Sequence, residues 1–139
     1  MDFALRERLL AELEGLSAVD ILRRSNEGLP KLWVIRQALH LRHDHPGSLG
    51  PEGDYRPLNL TGDKAAHGVA FLRGESVAVV VPRLVYGLNG DWGDTALQLP
   101  EGYWRNMLTK ETVDGGEAPL AHLLASFPVA LLVREEDRP

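Results

Sequence analysis

The segment His67-Gly68-Val69-Ala70-Phe71-Leu72-Arg73-Gly74-Glu75-Ser76-Val77-Ala78-Val79-Val80-Val81-Pro82 decides the fold. Its apolar residues recur with a period close to two, in two runs split by Arg73-Gly74-Glu75, where a residue tolerant of positive φ lets adjacent strands reverse tightly. Val79 to Val81 reads as a buried strand, and Pro82 suits its end because proline has no N–H to give a ladder. Working outward, strands are expected over 54–61, 67–73, 76–82, 95–99, 103–108 and 129–134, with a further reversal at Asn89-Gly90. Leu120 to Phe127 is apolar enough for a short helix before the last strand.

Upstream the period changes. Leu5, Leu9, Leu13 and Leu16 are spaced by four, four and three, which puts them on one helix face, with Asp2 as N-cap. Ser17 and Asp20 form a capping-box pattern for a short helix through Arg24, and Asn26 to Pro30 reads as a turn. A stronger helix is expected from about Pro30 to His43, with Leu32, Ile35 and Leu39 on its covered side and Arg36, Gln37, His40, His43 and Asp44 on a polar strip. Gly, Pro and Asp crowd Pro46 to Asp54, so the boundary is placed there: residues 1–46 form a helical lead and 47–139 an antiparallel β-sandwich. The class is α+β.

Composition narrows the function. Fifteen Lys and Arg against twenty Asp and Glu give a net charge of −5 without a basic block, which argues against nucleic acid as a partner. No apolar run approaches the roughly 18 residues needed to cross a bilayer, and Met1-Asp2-Phe3-Ala4 does not read as a signal peptide, so a cytoplasmic setting and no membrane partner are expected. Zero cysteines exclude disulfides and thiolate metal sites.

The run Gly93-Asp94-Thr95-Ala96-Leu97-Gln98-Leu99-Pro100-Glu101-Gly102-Tyr103-Trp104-Arg105-Asn106-Met107-Leu108-Thr109 resembles the C-terminal region of maltooligosyltrehalose synthases of the α-amylase superfamily, glycoside hydrolase family 13. Lys31-Leu32-Trp33-Val34-Ile35, Ala38 to Arg42 and His45-Pro46 are similar to the last barrel helix of that family. Tyr55-Arg56-Pro57-Leu58, Val79 to Arg83 and Phe127 to Leu132 follow in the family's order. Asn106 stands where the pattern has Asp, and Ser48 to Glu52 is a looser spacer. The resemblance implies a sandwich of the α-amylase C-terminal type beside a (β/α)₈ barrel. The full enzyme would isomerise the reducing-end α-1,4 bond of a maltooligosaccharide to α,α-1,1 by intramolecular transglycosylation, a step in trehalose biosynthesis.

Such retaining chemistry needs two carboxylates about 5 to 5.5 Å apart, and in this family they stand on barrel strands. A barrel takes about 250 residues, so 139 cannot contain one, and no catalytic residue, metal or cofactor is assigned. The expected partner is the catalytic barrel of the parent chain. The resemblance implies that the helical lead is the tail of the barrel, with Leu32, Ile35 and Leu39 covering barrel surface in the full enzyme. Without a barrel the lead must pack on the sandwich or on a second copy, which makes self-association through the lead a hypothesis.

Several clusters can still be weighed for chemistry. His40, His43, Asp44 and His45 share a helix end, yet zinc needs further ligands held by supporting groups, and His40 is better read as a neighbour of Arg36 or Asp44. Trp92 and Trp104, with Tyr86 and Tyr103, are candidates for a platform on which a maltooligosaccharide stacks, against core packing as the ordinary role of strand aromatics. Trp92, in the 90–93 loop, is the better surface candidate, whereas Trp33 is read as structural. Glu111, Asp114 and Glu117 are carboxylates in a glycine-rich loop that reads as solvated, Asp91 and Asp94 as turn acids, and Glu135-Glu136-Asp137 as a solvated end. A freestanding glucan-binding module and the C-terminal domain of another α-amylase relative are the alternative readings.

Overall fold

The computed structural model describes residues 3–13, 15–24, 26, 28–45, 47, 53–83 and 92–135. The Asp2 cap, the Asn89-Gly90 turn, Tyr86, Asp91, Glu136-Asp137 and most of the segment around the proposed boundary lie outside these residues. Helices α1 (Phe3–Leu13), α2 (Ala18–Arg23) and α3 (Leu29–Asp44) lead into strands β1 (Tyr55–Pro57), β2 (Leu60–Thr61), β3 (Gly68–Arg73) and β4 (Val77–Pro82). After these come β5 (Ala96–Asn106), β6 (Thr112–Pro119), the one-turn helix α4 (Leu120–Leu123) and β7 (Ala130–Glu135). The α+β class and the order of helices before antiparallel strands follow the sequence reading.

The helix boundaries have local causes. Ser17 is extended and its Oγ accepts the Asp20 N–H at 3.2 Å, opening α2. The Asp20 carboxylate in turn accepts the Ser17 hydroxyl at 2.9 Å, since aspartate is one methylene shorter than the glutamate that reaches a cap backbone N–H. Helix α3 starts after Gly28, whose φ of 79° only glycine adopts freely, and Pro30 fits the first turn, where a missing N–H costs nothing.

The buried side of α3 is Leu29, Trp33 and Leu41, with Gln37 half-buried between them, a row at spacing four. The expected covered side differs: Leu32 is half-buried, while Ile35 and Leu39 are exposed at 44% and 57%. The reason lies in two polar groups that the hydrophobic pattern does not weigh. Trp33 Nε1 donates to the Leu108 carbonyl at 3.0 Å, and Gln37 Nε2 donates to the Met107 carbonyl at 2.7 Å. These bonds turn the helix so that the Trp33–Gln37 row meets the sheet.

The seven strands form one hydrogen-bonded antiparallel network in the order β1-β3-β4-β7-β5-β2, with β6 on β5. In β3, β4 and β7 the paired residues share parity, as in Ala70↔Val80 and Ala78↔Leu132. Even-numbered Ala70, Leu72, Ala78, Val80, Ala130 and Leu132 therefore face one core, and Val77, Leu131 and Val133 face the other. Val77, Ala78 and Val80 of the all-apolar β4 are buried, whereas Val79 and Val81 on the helix side are half-buried. The helices cover one face: Leu9, Leu13, Ile21, Leu29 and Trp33 share a core with Val77, Leu131 and Val133. That core joins the helical lead to the sheet.

The other face is closed by the sheet itself. Strand β5 pairs with β2 through Leu97 and Ala96, then with β7 from Tyr103 to Asn106, so it passes from one layer to the other within a single strand. The two expected strands at 95–99 and 103–108 are thus one, bent between Leu99 and Tyr103 where its register with β6 shifts. Strands that switch layers this way make the corners of folded-over sheets. Leu97 and Leu99 from one arm and Trp104 from the other enclose the first core with Ala118 and Leu120.

Strand β6 is absent from the sequence expectation, which reads its Thr112-Val113-Asp114-Gly115-Gly116-Glu117-Ala118-Pro119 as loop. Gly, Asp and Pro are poor strand formers, and here pairing with β5 overrides propensity at an edge where such residues are tolerated. Gly115 lies directly under the β5 bend: a Cβ there would collide with the Pro100 carbonyl and sit 2.8 Å from Glu101 Cα.

Two family-like segments do structural work at the ends of β5. Gly93 turns the chain with φ of 56°, the Asp94 carboxylate accepts the Asp63 N–H at 3.0 Å, and Thr95 Oγ1 accepts the Lys64 N–H at 2.9 Å. Asp94 is the turn acid expected of it. At the other end Asn106, 3% exposed, accepts the Leu108 N–H at 3.0 Å through Oδ1, with the Leu131 N–H at 3.5 Å. A neutral amide satisfies these donors without burying a charge.

Gly115→Ala is expected to destabilise the fold by about 1 to 3 kcal/mol, as overpacking against backbone does, read as a lower midpoint in urea unfolding. Asn106→Leu leaves the Leu108 N–H buried without its acceptor and should cost about 1 to 3 kcal/mol in the same measurement, whereas Thr112→Ser on exposed β6 should change stability by less than about 0.5 kcal/mol.

Candidate functional site

The aromatic residues proposed for sugar stacking are inside the protein. Trp104 is 0% exposed on the inner side of β5 beyond the bend; its Nε1 donates to the Pro100 carbonyl at 3.0 Å and the Arg134 guanidinium lies 4.8 Å from its ring centroid. Trp92 is 8% exposed and packs in the same core, its ring edge 3.7 Å from where a Cβ on Gly68 would stand. Neither offers an open ring face, so the stacking platform is corrected to core packing. Strand alternation after the bend turns Trp104 inward and leaves Tyr103 half-buried on the other side.

The polar clusters do not converge. His40, His43 and Asp44 are exposed on the last turns of α3 and His45 is half-buried. Among the described residues no group of three or more His, Cys, Asp or Glu comes together around a point where a metal ion could sit. Glu111 accepts the Ser126 hydroxyl at 3.1 Å, while Asp114 pairs in register with Tyr103 and Glu117 with Gln98, on opposite sides of the β5 bend. A cleft of about 880 Å³ beside the end of α3 contains Asp44, His45, Glu75 and the Arg105–Glu135 ion pair at 2.7 Å. It holds charges of both signs, and none of its described lining residues is Trp, Tyr or Phe.

The surface feature that stands out is a groove of about 650 Å³ between α3 and the helix-side face of the sheet. Ile35 and Leu39 form one wall, with Phe71, Val79, Val81 and Val129 as floor and far wall. Among the described residues its polar side chains are Lys31, Arg42 and Arg73, all cationic. The groove exists because the buried row of α3 is Leu29, Trp33, Gln37 and Leu41, which leaves Ile35 and Leu39 facing away, while α1 and α2 occupy another flank of α3. Ile35 and Leu39 belong to the apolar stripe that the resemblance assigns to barrel surface, and within these residues they are left exposed. Phe71, Val79 and Val81 were legible only as strand residues.

No protein-family model matches the chain. It is 44% identical over 108 residues to a Mycobacterium tuberculosis protein named as a maltooligosyl trehalose synthase, a match covering 76% of this chain and 14% of that relative. Among solved structures it superposes on maltooligosyltrehalose synthase from Arthrobacter ramosus with a TM-score of 0.81 at 34% identity, over 97% of this chain and 17% of that one. A second solved maltooligosyl trehalose synthase, 18% identical, shares the fold with a TM-score of 0.66 over 97% of this chain and 16% of its own. The chain therefore spans only a small part of the proteins it matches. In sequence and in fold, helices and sheet together, it corresponds to the C-terminal region of maltooligosyltrehalose synthases.

Proposed function

We propose that the chain serves as the non-catalytic C-terminal domain of a trehalose-forming enzyme. The complete polypeptide would convert the reducing-end α-1,4 bond of a maltooligosaccharide to α,α-1,1 by intramolecular transglycosylation. The observation that carries this is the match itself, at 44% identity to 14% of a much longer synthase. Retaining transglycosylation requires a nucleophile and an acid/base carboxylate held about 5 to 5.5 Å apart around the scissile bond. Glu111, Asp114 and Glu117 are dispersed along an exposed edge, so the catalytic pair is assigned to the rest of the polypeptide. This domain contributes a rigid body: two cores on the two faces of one sheet.

A glucan-binding module is the competing reading, and the geometry disfavours it. Sugar rings stack on open aromatic faces and their hydroxyls need converging hydrogen-bond partners. Here Trp33, Trp92 and Trp104 are all buried, and among the described residues the polar side chains lining the apolar groove beside α3 are three cations.

Titrating maltoheptaose into the 139-residue chain is expected to leave its tryptophan fluorescence unchanged, because none of Trp33, Trp92 and Trp104 can meet a sugar ring without unfolding the core. An α,α-1,1 bond ties up the anomeric carbon, so the complete polypeptide should consume reducing ends from maltooligosaccharides while the 139-residue chain alone consumes none. Loss of reducing ends with the short chain, or their persistence with the complete polypeptide, sinks this reading.

A further inference from the structure

We infer that the turn between β5 and β6 closes over a binding site for a single water molecule, held by the side-chain amide of Asn106 in a niche between the start of β6 and α4. The groups that form it all lie within these 139 residues.

The amide of Asn106 is engaged on one side only. Strand alternation puts it on the same face of β5 as Trp104, toward the core that Leu123 of α4 and Val113 of β6 help to close. There Oδ1 accepts the Leu108 N–H at 3.0 Å, with the Leu131 N–H at 3.5 Å. Two backbone donors at the oxygen fix which prong of the amide is which, so the NH₂ group, with two hydrogens to give, points the other way. Among the described residues the hydrogen bonds of this side chain all run to Oδ1. Yet the residue is only 3% exposed, and a buried donor without an acceptor bears its whole desolvation cost.

The space beside the amide has the size and lining that water needs. Asn106, Glu111, Thr112, Val113, His122 and Leu123 surround a niche that leaves about 10 Å³ for the centre of a water molecule, which is room for one. Cavities that stay dry are apolar, whereas a polar one keeps a water that finds roughly two to four hydrogen-bond partners. Four of these six side chains are polar. A water oxygen supplies the acceptor that Nδ2 lacks. Its hydrogens have acceptors in the Glu111 carboxylate, which already takes the Ser126 hydroxyl, and in the Thr112 hydroxyl.

Other occupants have the wrong chemistry. A cation cannot accept from an amide N–H, and among the described residues no group of three or more His, Cys, Asp or Glu gathers to ligate one. A larger molecule exceeds the volume. The water also gives the turn a second anchor: Trp33 and Gln37 hold the Leu108 and Met107 carbonyls from the helix side, and the water ties Asn106 to the first residues of β6 from the other.

Cross-relaxation between water and side-chain amide protons, measured by NMR on the isotope-labelled 139-residue chain, reads the site directly. The Asn106 amide is expected to show a water cross-peak with the sign of a molecule that tumbles with the protein, and rotating-frame spectra separate it from proton exchange. The amide of exposed Gln98 serves as control and should show the sign of fast surface hydration. A fast-hydration sign at Asn106, or no cross-peak there, overturns the proposal.

A hydroxyl proton in exchange with water can relay such a signal, so the measurement is repeated in Thr112→Val, a change on exposed β6. The cross-peak is expected to persist, because Nδ2 and the Glu111 carboxylate remain as partners, and its disappearance sinks the water site. In a crystal of the chain the water should appear as a density peak about 2.9 Å from Nδ2. A protein oxygen bonded to Nδ2 in its place overturns the assignment.

Discussion

Two side chains of α3 hold the turn between β5 and β6, and the rest of the domain is arranged around that contact. Trp33 and Gln37 donate to consecutive carbonyls, those of Leu108 and Met107, while Asn106 accepts the Leu108 N–H from within the same turn and the Met107 N–H bonds the Leu131 carbonyl of the β7 strand region. A buried carbonyl left without a donor costs about 1 to 3 kcal/mol, so helix and turn are locked by what separation would expose more than by the bonds themselves. Because Met107 and Leu108 also pack in the helix-side core, polar and apolar contributions act at one place.

From this contact the two faces of the sheet take opposite roles. The inner face is sealed by β5, which bends between Leu99 and Tyr103 and carries β6 with it, so that Leu97, Leu99 and Trp104 close over Ala78, Val80 and Leu132. The helix-side face is sealed only in part. Val77, Leu131 and Val133 lie beneath the helices, whereas Val79 and Val81 open into the groove. The Gly115 backbone under Pro100 and the Arg134 guanidinium over Trp104 show how closely the inner side is filled, and the groove is the contrast to it. Among the described residues one face is closed over and the other carries an apolar groove whose charged lining is Lys31, Arg42 and Arg73.

The residues that drew attention for chemistry turn out to support packing. Trp92 and Trp104 are core, Asn106 satisfies buried backbone donors, and Asp94 with Thr95 pins the loop after β2 through the N–H groups of Asp63 and Lys64. The family-like run from Gly93 to Thr109 is accordingly the bent strand and its two end turns. Its pattern is specific because each residue type meets a backbone demand: glycine for positive φ at Gly93 and Gly102, short acceptors at Asp94, Thr95 and Asn106.

The local elements were legible in the sequence because they follow from properties a residue carries with it. Period two wrote β3 and β4, the Ser17–Asp20 spacing wrote the start of α2, and the order of motifs from Lys31 to Arg134 pointed to the family that the matches show. Three features needed the tertiary structure. Strand β6 forms against its own propensity because β5 offers it a ladder, and β5 is one strand because its bend lets it serve both layers. The rotation of α3 was set by hydrogen bonds to carbonyls some 70 residues away, from Trp33 to Leu108 and from Gln37 to Met107. Apolar spacing can state that Ile35 and Leu39 need cover. Which side of a helix its own domain covers is decided by the partners that its polar groups find across the fold.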